Sequence, residues 1–257
     1  MKQCRSRPAA LLAAALLAGC AATPDAGKPT ELGASPWAVQ STQPGAAASQ
    51  ASGWHHLAFP GKAPTKFSYS RKDGRDAIAV LADSSASMLR RKVRIEPADL
   101  GSVRFSWKVP ELIAGADMTL RDADDSPVRI VLVFEGDRSR LSARDAMLSE
   151  LARMLMGEEM PYATLMYVWS NRRPPGSLIT SPRTERIRKL VVESGAKKLN
   201  RWLDYERDIR ADYERAFGEA PGALIGIGIM SDSDNTRTTV RAWYGPVRLG
   251  GSAQAPR

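Results

Sequence analysis

Beyond Trp54 the chain alternates apolar and polar side chains in short runs. Leu89, Arg91, Val93 and Ile95 form one such series, with polar or basic neighbours between them. Val103, Phe105, Trp107 and Val109 form a second, and Val128, Ile130, Leu132 and Phe134 a third. Leu165, Tyr167 and Trp169 follow, then apolar-rich runs at 187–192, 224–230 and 239–249. Successive strand side chains point to opposite faces, so a two-residue period predicts strands with one covered face. Many short strands of this kind, parted by turn residues, predict a mainly β fold, an antiparallel β-sandwich.

Two stretches follow a helical period instead. In 142–156, Met147, Leu148, Leu151, Met154 and Leu155 suit one buried stripe. Ser142 and Asp145 form a capping box there, and Gly157 a stop. In 200–217, Trp202, Ile209, Tyr213 and Phe217 suit a second stripe, ended by Gly218 and Pro221. Both helices are expected to pack on the sandwich.

The N-terminal residues follow neither period. Lys2, Arg5 and Arg7 precede an apolar run over 9–18 that is too short to span a bilayer. Leu-Ala-Gly-Cys at 17–20 then resembles the lipobox of bacterial lipoproteins. Residues 1–19 are accordingly expected to be a lipoprotein signal peptide, with Cys20 as the lipidated residue. Residues 20–52, rich in Ala, Gly, Pro, Ser, Thr and Gln, suit a flexible tether. The folded domain is expected over 53–249, with a loose tail at 250–257. Ala21, where lipoproteins of the inner membrane tend to carry aspartate, favours the outer membrane facing the periplasm.

Composition narrows the chemistry. Among 257 residues, 43% are hydrophobic and 25% charged, enough apolar content for a sizeable core. Loss of Lys2, Arg5 and Arg7 with the signal lowers the net charge from +9 to about +6. The bases are scattered among acids, so nucleic acid is not an expected partner. Cys4 leaves with the signal and Cys20 is acylated. A thiol nucleophile and a cysteine-ligated zinc site are thereby excluded.

Five strings then bear on family. They are FSWKV (105–109), DADDSPVRIVLVFEG (122–136), YVWSN (167–171), WLDYERDIRADYERAFGEAP (202–221) and GIGIMSDSDNTRTTVRAWYGPVRL (226–249). In this order they resemble a bacterial envelope family known as domain of unknown function 3047. The resemblance spans about 53–249 and implies a jelly-roll-like sandwich similar to those of carbohydrate-binding modules. It brings no established activity. It also implies a glycine closing the D-x-D-N-T turn, where this chain has Arg237.

Several residues are candidates for chemistry. Arg129 sits on a strand face with Val131 and Val133, and a buried cation requires a partner. Asp124 and Asp125 are nearest in sequence, and Asp212 or Asp234 can meet it from elsewhere. Such a group reads either as a charged anchor in a ligand groove or as a structural ion pair. Asp232, Asp234 and Asn235 suit a turn or an ion pair. No cofactor is expected: the EF-hand pattern fails at Thr236 and Arg237, and Asp232 and Asp234 are the candidates for a structural calcium in a site built from two loops. Trp169, before the polar loop at 170–175, is the candidate for a partly exposed stacking platform. Ser194–Lys197 and Ser233–Asn235 fit S-x-x-K and S-D-N, but no K-T-G follows.

These features favour a lipid-anchored envelope protein with a non-catalytic, ligand-binding domain, with glycans as the candidate ligand. Two alternatives remain open: a polysaccharide hydrolase using Asp124 or Asp125 with Asp234, and a structural partner in an envelope protein complex.

Overall fold

The computed structural model describes residues 32, 34–41 and 53–251. The expected signal peptide at 1–19 and the expected lipidation at Cys20 lie outside these residues. Among the described residues, thirteen strands form two sheets, accompanied by α-helices. In chain order the elements are α1 (Pro36–Gln40), β1 (His55–Ala58), β2 (Lys66–Lys72), β3 (Arg75–Asp83), β4 (Ala86–Ile95), β5 (Leu100–Lys108), β6 (Ser126–Phe134), α2 (Ala143–Met156), β7 (Ala163–Ser170), β8 (Leu178–Thr180), β9 (Ile187–Ser194), β10 (Trp202–Asp208), α3 (Ile209–Phe217), β11 (Leu224–Asp232), β12 (Thr239–Tyr244) and β13 (Arg248–Gly251). A seven-stranded sheet has the order β1-β4-β11-β6-β7-β9-β8. A six-stranded sheet has the order β10-β5-β12-β3-β2, with β13 also on β5.

The protein is thus a mainly β, jelly-roll-like sandwich. The alternating runs supply its two inner faces. Leu89, Ile130, Leu132, Phe134, Leu165 and Tyr167 come from the larger sheet, and Ile78, Val80, Val103, Phe105 and Trp107 from the smaller. Phe105 joins the layers, stacked on Tyr167 with ring centres 5.5 Å apart. Pairing is antiparallel except between β7 and β9, which run parallel, a departure from the all-antiparallel expectation.

Four further features differ from the expected pattern. Residues 202–208 are not helical: they form β10, paired with β5 over its whole length. Trp202, Asp204, Glu206 and Asp208 alternate there with Leu203, Tyr205 and Arg207, a two-residue period that the wider spacing of Trp202, Ile209, Tyr213 and Phe217 hides. Helix α3 begins only at Ile209, where Asp208 accepts from the Ala211 N–H. Helix α2 forms at the expected place and caps as expected, but its apolar stripe faces out rather than in. Residues 35–41, within the proposed tether, fold against the sandwich. Trp37 is fully buried there, 4.8 Å from Trp54, and the Ser41 hydroxyl accepts from the Val247 N–H. Finally, Gly250 and Gly251 belong to β13 rather than to the tail.

Candidate functional site

The acidic candidates meet on the outer face of the seven-stranded sheet. Arg129, mid-strand in β6, pairs across the ladder with Val168 and Met230. Its guanidinium grips Asp232 in two-pronged fashion, Nε to Oδ1 at 2.8 Å and Nη2 to Oδ2 at 2.9 Å. Nη2 also donates to the Asp124 carbonyl at 2.8 Å and to its carboxylate at 3.2 Å. Lys189, on the same face of β9, donates to both Asp124 carboxylate oxygens at 2.6 Å. Asp125 faces the loop after β11. It accepts from the Asn235 amide side chain at 2.8 Å and from the Thr236 N–H and hydroxyl, each at 2.7 Å. Asp234 pairs with Lys62.

In the serine-aspartate string at 231–237, Ser231 and Asp232 therefore end β11 and the remaining residues form a loop pinned by Asp125. Arg237, in place of the glycine that the resemblance implies, keeps the tight form with φ of 54°. A side chain in the left-handed region carries strain, so the turn holds against the residue's preference.

Four carboxylates face three cations here, and most of the set is buried. Burial opposes the charge on Arg129, yet Asp232 and Asp124 outweigh it and hold its pKa above the ordinary value. Burial raises the Asp232 pKa from 3.8 to about 6, against the pull of Arg129. Burial, with Arg129 nearby, lowers the Lys189 pKa from 10.5 to about 8 despite Asp124. Single oxygens of Asp125, Asp232 and Asp234 come within 4.8 Å of one another. Each of these carboxylates already holds protein donors, and Arg129 and Lys62 supply positive charge where a cation would sit.

These shifts set a pH dependence. Between pH 8 and 10.5 the unfolded chain keeps the Lys189 proton that the folded chain has lost, so this group's contribution grows as pH rises. Asp232 works the other way: its contribution is full below 3.8 and gone above about 6. The cluster thus stabilises least between about pH 6 and 8. Urea unfolding of the wild type and Lys189→Met across pH 7–10.5 should show the difference shifting in the wild type's favour above pH 8. A difference constant with pH would refute the assignment.

The other candidates go elsewhere. Trp169 is buried, not a platform, and its indole N–H donates to the Gly195 carbonyl. Asp212 lies in α3 and binds Arg207 and the Tyr167 hydroxyl, away from Arg129. Lys189 carries no such signal in the sequence as Arg129 does, because Arg188 stands beside it in β9.

The open surface lies on the outer face of the six-stranded sheet. In register, Trp202 meets Lys108, Asp204 meets Ser106, and Glu206 meets Arg104. On the other side of β5, Trp243 also meets Lys108. The β2–β3 hairpin tip curls over this row. Lys72 lies 4.7 Å above the Trp243 ring, Arg75 5.3 Å above Trp202, and Asp73 binds Lys108 at 2.6 Å. Beside the row are two adjoining clefts of 680 and 540 Å³, which share Arg104, Glu206 and Arg248. Arg104 pairs with Glu206 at 2.9 Å and Arg75 with Asp204 at 2.8 Å, all four well exposed. Reading 202–208 as helix concealed this face.

Fold and site together define a two-layer β domain with a self-neutralised charge cluster and a polar trough on the opposite sheet. The chain belongs to the family described as protein of unknown function, DUF3047, whose model matches residues 52–248. Among curated proteins no match is found. Solved structures similar to the chain include the xyloglucanase domain of NopAA, a type three effector from Sinorhizobium fredii, in complex with cellobiose. The two share 10% identity with a TM-score of 0.41, over 77% of this chain and 91% of that one.

Proposed function

We propose that the chain is a lipid-anchored cell-envelope protein whose sandwich binds a polyhydroxylated ligand, foremost a glycan, without catalysis. The lipobox at 17–20 supports the anchor. The trough at Arg104, Glu206 and Arg248 carries the binding reading: its guanidinium and carboxylate groups offer hydrogen-bond donors and acceptors to a polyhydroxylated ligand, and half-buried Trp202 and Trp243 lie on the same sheet face. Asp124, Asp125 and Asp234 are engaged by Lys189, Arg129, Asn235, Thr236 and Lys62, which leaves the carboxylate-pair hydrolase without support.

The test is retention on envelope polysaccharides and glycan arrays. A hydrogen bond to a charged group is worth about 1.5–3 kcal/mol, so Arg104→Ala with Glu206→Ala should weaken binding by about tenfold or more. Both residues are exposed, so the melting temperature should hardly move. Absence of any saccharide binding by the wild type would end this reading.

A further inference from the structure

Helix α2 is built inside out. It buries Asp145 and Ser149 and exposes Met147 (65%), Leu151 (46%), Met154 (73%) and Leu155 (62%). These four occupy i, i+4, i+7 and i+8, a single stripe along the helix. The orientation is fixed from beneath. Thr184 donates to Asp145 at 2.5 Å, and Arg138 donates to Ser149. Just past the C-terminus, Glu158 takes Arg90 at 2.7 and 2.9 Å and Lys92 at 3.2 Å. Turning the stripe inward would break these bonds and leave polar groups buried without partners. An exposed apolar stripe held outward in this way marks a contact surface.

Two observations choose its occupant. A helix of 14 residues is about 21 Å long and about 10 Å wide. It covers on the order of 200 Å², far short of the ~800 Å² per partner of a stable protein interface, so a second copy seated on α2 alone is disfavoured. The second observation is where the chain enters the fold. From Cys20 to the buried segment at 35–41 the polypeptide reaches at most ~50 Å when extended, so an anchor at Cys20 keeps the sandwich beside the headgroups. This step rests on the lipid-anchor reading above. Local charge agrees with a phospholipid surface. Glu150 is paired with Arg153 and Glu159 with Arg138, while Arg144 is exposed on the helix.

We infer that α2 lies in the membrane interface, with Met147, Leu151, Met154 and Leu155 among the upper acyl chains, and so fixes the orientation of the anchored domain. The acylated protein, reconstituted in vesicles of phosphatidylethanolamine and phosphatidylglycerol, provides the test. An environment-sensitive fluorophore is placed at Leu151→Cys or, for comparison, at exposed Ser68→Cys on β2. Lipids brominated on their acyl chains should quench the first probe and spare the second. Adding Met147→Glu and Met154→Glu should abolish the quenching with an unchanged circular dichroism spectrum, since both positions are solvent-facing. An unquenched Leu151 probe on protein whose acylation is confirmed by mass spectrometry overturns the inference and leaves the anchor standing. An unacylated N-terminus overturns the anchor and this inference with it. A probe shielded equally in detergent, on protein of doubled mass, assigns the stripe to a second copy and overturns it too.

Discussion

Arg129→Met is expected to destabilise the protein by about 3–5 kcal/mol, measured by urea unfolding at pH 7. The change removes a guanidinium that makes two bonds to Asp232 and two to Asp124. Asp124 keeps Lys189, but Asp232 keeps only the Ser126 N–H at 3.0 Å. A buried carboxylate without its counter-charge is what makes the single change severe. Adding Asp232→Leu should recover a large part of the loss, because an apolar pair of similar volume removes the stranded charge. A single-variant loss below about 1 kcal/mol, the value of an exposed ion pair, would mean that water reaches the cluster.

Trp37→Ala should cost a similar amount, about 3–5 kcal/mol, as for other large aromatic deletions from a core. The indole is wholly enclosed against Trp54, and the segment that carries it supplies the Ser41 carbonyl that accepts from Arg91 at 2.7 Å. Arg91 is itself buried, and burial lowers its pKa. Loosening residues 35–41 would also cost Arg91 that acceptor. Thermal melting should show a fall on the order of 10 °C for a domain of this size. A shift under about 2 °C would mean that 35–41 behaves as a tether after all.

Much of the sandwich is legible in the chain because burial on one sheet face imposes a two-residue rhythm. Val128 to Phe134 and Val103 to Val109 state it plainly, and both are core strands. Legibility fails where two periods coexist. Trp202 to Asp208 alternates as an edge strand must, yet Trp202 also falls in step with Ile209, Tyr213 and Phe217. Only the pairing of β10 with β5 decides between the periods. Helix α2 fails for another reason. Its period is right, but the side that the fold buries is set by distant partners, Thr184 and Arg138, and no local pattern announces them. The charge cluster was half legible. A lone arginine in an apolar strand demanded carboxylates, and Asp124 and Asp232 supply them. Lys189 is hidden because Arg188 stands beside it, and a basic pair in a strand does not announce a buried charge. Residues 35–41 lay hidden because their neighbours are small and polar, and the burial of Trp37 depends on strands far along the chain.

That last contact bears on the order of assembly. The Ser41 hydroxyl bonds the Val247 amide, and Arg248 reaches back to the Gln40 carbonyl at 3.0 Å. A nascent polypeptide emerging N-terminus first holds the opening part of this clasp long before the closing part exists. Trp37 then has no finished cradle until some two hundred further residues have been made. The native state is thus completed late and from both ends at once.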